Sequence, residues 1–139
     1  MNKNVVSIYN KIANKYHKTF LTPSNYLDGF LRHIPKKGKI LDIGCGVGVD
    51  SSYIKSKGYI PTGIDISKKM LGIAKKSNPE IDFQLGDMRK LNFKNDTYNG
   101  IIVSYSLIHI PKNEVPGVIS NFYKILKKNG IIYLGLQSG

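Results

Sequence analysis

The sequence predicts an α/β fold in which a parallel sheet of five strands is doubly wound, with helices on both faces. An apolar run that starts at Ile40 leads into three glycines at alternate positions, Gly44, Gly46 and Gly48. A buried strand that ends in a glycine-rich turn before a helix is how α/β folds bind nucleotide-like ligands. From Gly38 onward, segments of strand and helix character alternate, which is typical of a parallel sheet.

Five segments have the short apolar runs of strands. They are 39–43, 59–65, 81–85, Tyr98 to Ser104 and 131–136. The order 3-2-1-4-5 is the one that such folds favour, and we predict it here. The last strand, IIYLGL, would then lie at a sheet edge with unpaired backbone groups, and such an edge favours pairing, for example in a homodimer.

Helices are predicted from apolar spacings of three and four residues together with start and stop signals. An amphipathic helix covers 2–20, and Ser24 is the expected N-cap of a second helix that includes Leu27 and Leu31. Within the alternating region the predicted helices are 49–57, stopped by Gly58, a helix from the cap Ser67 to Asn78, and 112–128, ended by Asn129 and Gly130.

Length and composition predict one soluble domain. The chain has 139 residues, 41% hydrophobic and 22% charged, which excludes a disordered or fibrous class. No apolar run approaches the ~18 residues that span a bilayer, so no membrane partner is expected. Cys45 is the only cysteine, so an intramolecular disulfide cannot form, and a reducing, cytoplasmic location is expected.

The charge is strongly basic. Lys and Arg number 21 against 9 Asp and Glu, a formal net charge of +12. Such a charge attracts nucleic acid or anionic membranes. The lysines are nevertheless scattered in pairs along the sequence, which is more typical of a solvated surface than of a phosphate-binding stripe. A nucleic-acid partner therefore stays open but is not favoured.

Polar residues end four of the predicted strands and mark a ligand site. In this fold the ligand lies outside the carboxyl ends of the strands, where Asp42 with the glycine turn, Asp65, Asp87 and Ser104 would meet. The glycine pattern differs from the dinucleotide fingerprint GxGxxG, because Val49 stands where the third glycine is expected. A pyrophosphate binds helix N-terminal amides, whereas a cationic ligand favours a carboxylate such as Asp42.

These motifs resemble those of the class I S-adenosylmethionine-dependent methyltransferases, specifically the small-molecule type 11 or 25 family. LDIGCGVG at 41–48 is similar to motif I, GIDIS at 63–67 to motif II and GDM at 86–88 to motif III. Segments 98–111 and 126–134 are similar to the later motifs. The resemblance implies a Rossmann-like single domain, 1–139, with 1–35 as a helical lid and 38–139 as the cofactor-binding core.

The resemblance implies S-adenosylmethionine as the cofactor and assigns residues to its parts. The methionine moiety would lie on Gly44, Cys45 and Gly46, with Asp42 near its amino group and Ser104 between it and the acceptor. Asp65 would accept hydrogen bonds from the ribose hydroxyls, Ile66 and Met88 would hold the adenine, and Asp87 would accept from its amine. In the lid, Tyr16 would face the site. No metal site is predicted.

Four of these residues also have a structural alternative. Asp65 could serve the N-terminus of the following helix, Met88 could be a core residue, and Cys45 could be a small buried residue. Tyr16 belongs to an amphipathic stripe and could equally be core.

Methyl transfer from a sulfonium is a direct displacement, so a base is needed only where the acceptor carries a proton. His109 is the candidate base, although a histidine that packs near the following helix is favoured.

The leading hypothesis is a methyltransferase that acts on a small molecule. The net charge motivates an RNA or protein methyltransferase as the alternative. The chain ends before the last two strands of the family, and part of the acceptor pocket is expected to lie there. A cofactor-binding module without activity is therefore a third hypothesis.

Overall fold

The computed structural model describes residues 6–7, 22–104 and 110–135. Its centre is a five-stranded parallel sheet in the order β3-β2-β1-β4-β5, so the predicted fold class and strand order are confirmed. The strands are β1 Lys39–Ile43, β2 Ile60–Asp65, β3 Asp82–Leu85, β4 Tyr98–Ser104 and β5 Leu126–Gly135. The α-helices of the described part are α1 Leu27–Leu31, α2 Val49–Ser56, α3 Lys68–Ser77 and α4 Val115–Ile125. Two 3-10 turns, Met88–Lys90 and Lys112–Glu114, precede β4 and α4.

The core forms two layers because alternate residues of each strand point to opposite faces. Ile40 and Ile102 face α1 and α2, where they pack with Leu27 and Ile54. On the other face, a layer that includes Leu41, Val103, Phe122 and Met88 packs beneath α4. The central strand β1 is therefore covered on both faces, as a continuous apolar run predicts.

The predicted helix signals at Ser67 and Gly58 are observed. The Ser67 hydroxyl accepts from Met70 N at 3.2 Å and caps α3. After α2, Gly58 has a φ of 95°, and its amide donates to Lys55 O while Tyr59 N donates to Ile54 O. This pair of hydrogen bonds is a Schellman motif, which uses the left-handed conformation that glycine adopts at little cost.

Two predicted helix boundaries are wrong. Ser24 does not cap α1, which begins at Leu27 with Tyr26 as a residue without a capping side chain. The helix predicted at 112–128 is instead a 3-10 turn followed by α4, Val115–Ile125. Pro116 has no amide hydrogen, so it fits only the first turn of a helix and sets the start near Val115.

The end of α4 is set by pairing in the sheet. Leu126 is buried and aligned with Tyr98, and the register then jumps to Gly100 beside Ile131. The strand β5 therefore begins five residues earlier than predicted and contains an irregularity that includes Asn129, with a φ of 67°. The tertiary pairing of Leu126 outweighs its helix propensity.

No helix in the described part of the chain is both long enough and apolar enough to cross a membrane. Of the predicted N-terminal helix, only residues 6–7 are described, and they are helical. The predicted division into a lid and a core stays a prediction.

Candidate functional site

The glycine turn between β1 and α2 forms the floor of the candidate site. Gly44, Gly46 and Gly48 have φ values of 76°, 57° and 85°, in the left-handed region that favours glycine. The amides of Gly44 and Cys45 both donate to Ile64 O, at 2.8 and 3.0 Å, and this holds the turn against β2. At Gly48 a Cβ atom would lie 2.8 Å from Phe83 Cζ, so packing also requires glycine there.

Asp65 ends β2 and joins the turn to α3. Its Oδ2 accepts from Gly46 N at 2.8 Å, and its Oδ1 accepts from Ser67 N at 2.9 Å. Burial raises the pKa of Asp65, while the backbone hydrogen bonds oppose the rise. Because each carboxylate oxygen has two lone-pair directions, the group can accept further hydrogen bonds from a ligand. The hydrogen bond from Ser67, which caps α3, agrees with the structural alternative that Asp65 serves the N-terminus of that helix.

Asp42 is a buried carboxyl group behind the turn. It is 2% exposed, and its Oδ2 accepts from Ser51 Oγ at 2.7 Å. Burial raises the pKa of Asp42 to about 7, and the charges of Asp50 and Asp65 add to the rise. Asp50 and Asp65 therefore each lie close enough to Asp42 to disfavour its charged form. A cation would relieve that repulsion.

The segment before α1 crosses the carboxyl edge of the sheet, which is the side where the strands end. It falls within the predicted lid of residues 1–35, but none of its residues was predicted as a site residue. Ser24 donates from its amide and from its hydroxyl to the two oxygens of Asp50, both at 2.8 Å. The Tyr26 hydroxyl hydrogen-bonds Ser104 Oγ at 2.6 Å, and its ring stacks on Tyr133 with centroids 3.8 Å apart. Burial raises the pKa of Tyr26, so its hydroxyl stays protonated at neutral pH. The predicted site residue Ser104 thus contacts Tyr26, and the sequence patterns did not predict this contact.

Asp87 follows β3 and is held by an arginine. Its carboxylate accepts from Arg89 Nη2 at 2.8 Å and from the Arg89 amide at 2.9 Å. Arg89 also bonds Glu114 at 3.3 Å and so joins this loop to the turn before α4. The group predicted to accept from an adenine amine is therefore already oriented by Arg89.

The remaining predicted residues differ in their surroundings. Met88 is 2% exposed and packs in the core layer under α4, and Ile66 is partly buried. The Cys45 side chain packs in a core cluster with Leu71 and Phe83, and burial raises the pKa of its thiol, which fits the structural alternative for this residue. Tyr16 and His109 lie outside the described residues. Within the described ranges, no group of three His, Cys, Asp or Glu could hold a metal.

Comparisons with known proteins identify the family. Residues 40–130 match the family of methyltransferase domains, and the chain belongs to that family. YqeM of Bacillus subtilis is 31% identical over 110 residues, 76% of this chain and 44% of YqeM. Demethylmenaquinone methyltransferase of Streptomyces avermitilis is 27% identical over 137 residues, 94% of this chain and 58% of that protein. The structure of a SAM-dependent methyltransferase from Methanosarcina mazei superposes with a TM-score of 0.65 at 25% identity, over 76% of this chain and 54% of that one.

The resemblance to class I S-adenosylmethionine-dependent methyltransferases is thereby confirmed, and S-adenosylmethionine is the cofactor of this family. The chain spans about half the length of the relatives it matches. The described residues fit this cofactor. The glycines of the turn have left-handed backbone conformations and no side chains, and the carboxyl groups of Asp42, Asp50 and Asp65 beside the turn suit a cationic ligand.

Proposed function

We propose that this chain transfers a methyl group from S-adenosylmethionine to a small-molecule acceptor. One observation carries the proposal: three carboxyl groups converge at a glycine turn on the carboxyl edge of the sheet. Among the described residues, no ion pair with Lys or Arg neutralises Asp42, Asp50 or Asp65. The electrostatic preference of the site is therefore for a cation, as a sulfonium with an ammonium group requires.

The chain's own residues bind and orient the two reactants. Gly44 and Gly46 offer backbone to the methionine moiety, with Asp42 as a counter-charge for its ammonium group. Asp65 accepts hydrogen bonds from the ribose hydroxyls, and its own bonds to Gly46 and Ser67 set its orientation. Asp87, held by Arg89, accepts from the adenine amine, and Ile66 and Met88 border the ring.

S-adenosylmethionine supplies an electrophilic methyl group, so the protein needs mainly to align a nucleophile and exclude water. Ser104 lies at the end of β4, and its contact with Tyr26 places a protonated phenol beside the path to the acceptor. His109 remains our candidate for removing a proton from the acceptor. Tyr16, in the proposed lid of residues 1–35, would cover the bound cofactor over the 38–139 core.

The acceptor is proposed to be small because the Streptomyces relative is named for methylation of demethylmenaquinone. A cytoplasmic location is part of the proposal. The lone cysteine, Cys45, is buried and cannot pair within the chain, which suits a reducing compartment. Turnover of isotope-labelled S-adenosylmethionine with quinol or catechol acceptors tests this part of the proposal. Methylation of RNA or protein, with every small acceptor inert, would contradict it.

Calorimetric titration with S-adenosylhomocysteine tests the site separately from turnover. Asp65→Ala should weaken binding about 10- to 100-fold, because hydrogen bonds to a charged group contribute about 1.5–3 kcal/mol. Asp82→Ala is the matched control, since Asp82 is an exposed carboxylate at the opposite end of the neighbouring strand β3. Equal affinities for the two variants would remove Asp65 from the site.

A further inference from the structure

We propose that the amino edge of the sheet is a docking surface for the phosphate backbone of a nucleic acid, separate from the cofactor site. The amino edge is defined as the starts of the five strands, the residues just before them (35–38, 57–59, 78–81 and 92–97) and the last turns of α2, α3 and α4. In a parallel sheet all strand starts lie at one edge, opposite the carboxyl ends that form the cofactor site.

The fold collects lysines at this edge that are scattered in the sequence. Three acidic residues, Glu80, Asp82 and Asp96, lie there, against eleven lysines, which leaves a net of eight positive charges. All fourteen of these residues are exposed. The lysines are Lys36, Lys37, Lys39, Lys55, Lys57, Lys75, Lys76, Lys94, Lys124, Lys127 and Lys128.

Among residues 22–104 and 110–135, the carboxyl edge has no such excess. Its five cationic side chains, Lys68, Lys69, Arg89, Lys90 and Lys112, are matched by five carboxyl groups, Asp42, Asp50, Asp65, Asp87 and Glu114. Two thirds of the formal charge of +12 is therefore carried by one edge of the molecule. A surface of this kind attracts polyanions and raises their association rate.

Helix dipoles do not account for the accumulation. Lysines in the last turn of a helix stabilise its carbonyl end. Only four of the eleven lie inside helices, namely Lys55, Lys75, Lys76 and Lys124. Of the other seven, Lys57 is the C-cap of α2, where the dipole argument still applies. The remaining six lie in loops or strands, where that argument gives no reason for a positive charge.

The register of the sheet makes the lysines one continuous stripe. Lys39, the first residue of β1, is aligned with Ile60 of β2, three residues after Lys57. The Lys39 amide also donates to Oδ1 of Asn99 in β4. Tyr98 of β4 is in turn aligned with Leu126, which precedes Lys127. With strands about 4.8 Å apart, the stripe crosses about 14 Å from β2 to β5. That width suits several consecutive phosphates.

The composition of the edge favours a nucleic acid over a membrane. Membrane-surface binding combines basic residues with apolar side chains that insert. Of the four exposed large hydrophobic residues in the described chain, two lie at the amino edge, Ile60 and Tyr123, and they stand on separate elements among eleven lysines. Because lysine gives point charges without the bidentate geometry of arginine, we expect contacts to phosphates without reading of bases.

The bound nucleic acid would not be the methyl acceptor. The edges are separated by the length of the strands, which for the seven residues of β4 is about 23 Å. Docking at the amino edge leaves the glycine turn facing away, so cofactor and nucleic acid should bind without competition. This inference therefore stands or falls independently of the proposed methyl transfer.

Fluorescence anisotropy with a labelled 30-nucleotide RNA, an equally long DNA duplex and vesicles of one-third phosphatidylglycerol tests the proposal. Binding should be measurable at 50 mM salt, should not depend on sequence, and should weaken linearly in a plot of log K against log salt. The first variant changes Lys36, Lys37, Lys127 and Lys128 to Gln. The control changes Lys68, Lys69, Lys90 and Lys112 to Gln, so that both lose four charges.

The amino-edge variant should lower affinity at least tenfold and reduce the salt slope by about 3, as expected for four phosphate contacts to a single strand. The carboxyl-edge control should change affinity less than threefold. Stronger binding of RNA or of the DNA duplex identifies the source of the phosphates. Equal losses in the two variants, binding to vesicles alone, or no binding at 50 mM salt would each overturn the proposal. Circular dichroism and cofactor titration of both variants exclude unfolding as the cause.

Discussion

At the scale of single residues, the carboxyl group of Asp42 is unfavourable for the stability of the fold but favourable for binding a cationic ligand. Its carboxyl group is enclosed behind the glycine turn, with the Ser51 hydroxyl as its hydrogen-bond donor. Burial favours the neutral form in the free protein, whereas a cationic ligand favours the ionised form. An uncharged replacement at this position should therefore stabilise the fold while it weakens cofactor binding.

Asp42→Asn tests the stability half of this argument. The pKa of Asp42 is raised to about 7, above the ~3.9 of an unfolded aspartate, so between these values the folded state holds one more proton. The contribution of this group to stability falls as pH rises from about 4 to 7. The variant, which stays neutral, should gain stability over the wild type across that window and keep the gain above pH 7.

Urea unfolding of both proteins at pH 5, 6 and 8 measures the difference in the free energy of unfolding. The exposed Asp82, replaced by Asn, serves as the control and should show a difference that does not change with pH. A constant difference for Asp42→Asn as well would mean that its carboxyl group is ionised throughout.

The predictability of individual site residues follows from the sequence distance of their contacts. Asp42, Gly44 and Asp65 stand next to strand ends that local patterns reveal. The contacts of Ser24 with Asp50 and of Tyr26 with Ser104 join residues 26 and 78 positions apart. No local sequence signal marks such pairs. A serine followed by apolar residues at helical spacing, as at Ser24, instead predicts a helix cap.

At the scale of secondary structure, two glycines of the helices α2 and α3 have opposite effects on stability. Gly58 lies beyond the end of α2 with a φ of 95°, and Gly72 lies inside α3. A Cβ atom would meet nothing within 4 Å at either position, so only backbone conformation distinguishes them.

Gly58→Ala should therefore destabilise the protein by about 1–2 kcal/mol, because alanine is strained in the left-handed region. Gly72→Ala should stabilise it by about 0.5–1 kcal/mol, since alanine is the better helix former. Denaturant unfolding of the two variants under identical conditions measures both values. Effects of the same sign would contradict the assigned conformations.

Elements bounded by local signals were predicted closely, and those bounded by tertiary contacts were not. The strands β1 and β4 and the cap of α3 agree with the sequence reading, because apolar runs and a capping serine are local features. The end of α4 depends on the alignment of Leu126 with a strand 28 positions earlier, at Tyr98. The stop signal at Asn129 and Gly130 placed the predicted end at residue 128, three residues too late.

At the scale of the whole molecule, the described sheet has two edge strands of different character. The strand β3 has four residues, whereas β5 has ten, and within the described ranges β5 borders only β4. A long edge strand has unpaired backbone N–H and C=O groups with which another strand can pair. We expect two copies of the chain to associate through β5.

Leu134→Lys should shift this association to concentrations at least tenfold higher, because Leu134 is 40% exposed on β5 and a charge blocks edge pairing. Leu85→Lys is the control, since Leu85 is 52% exposed on the short opposite edge strand. Sedimentation velocity over a range of protein concentrations compares them. A wild type that remains monomeric throughout, or equal effects of the two substitutions, would exclude pairing through β5.

The concentration of lysines at the amino edge was not predictable from their scattered positions, because it arises when the chain folds back at each strand. Their placement also gives the molecule a permanent electric asymmetry along the strand direction. On a cation-exchange matrix at low salt, the protein should adsorb with its amino edge facing the matrix. Every adsorbed molecule would then present its glycine turn to the mobile phase, so the immobilised protein should retain its capacity for S-adenosylhomocysteine.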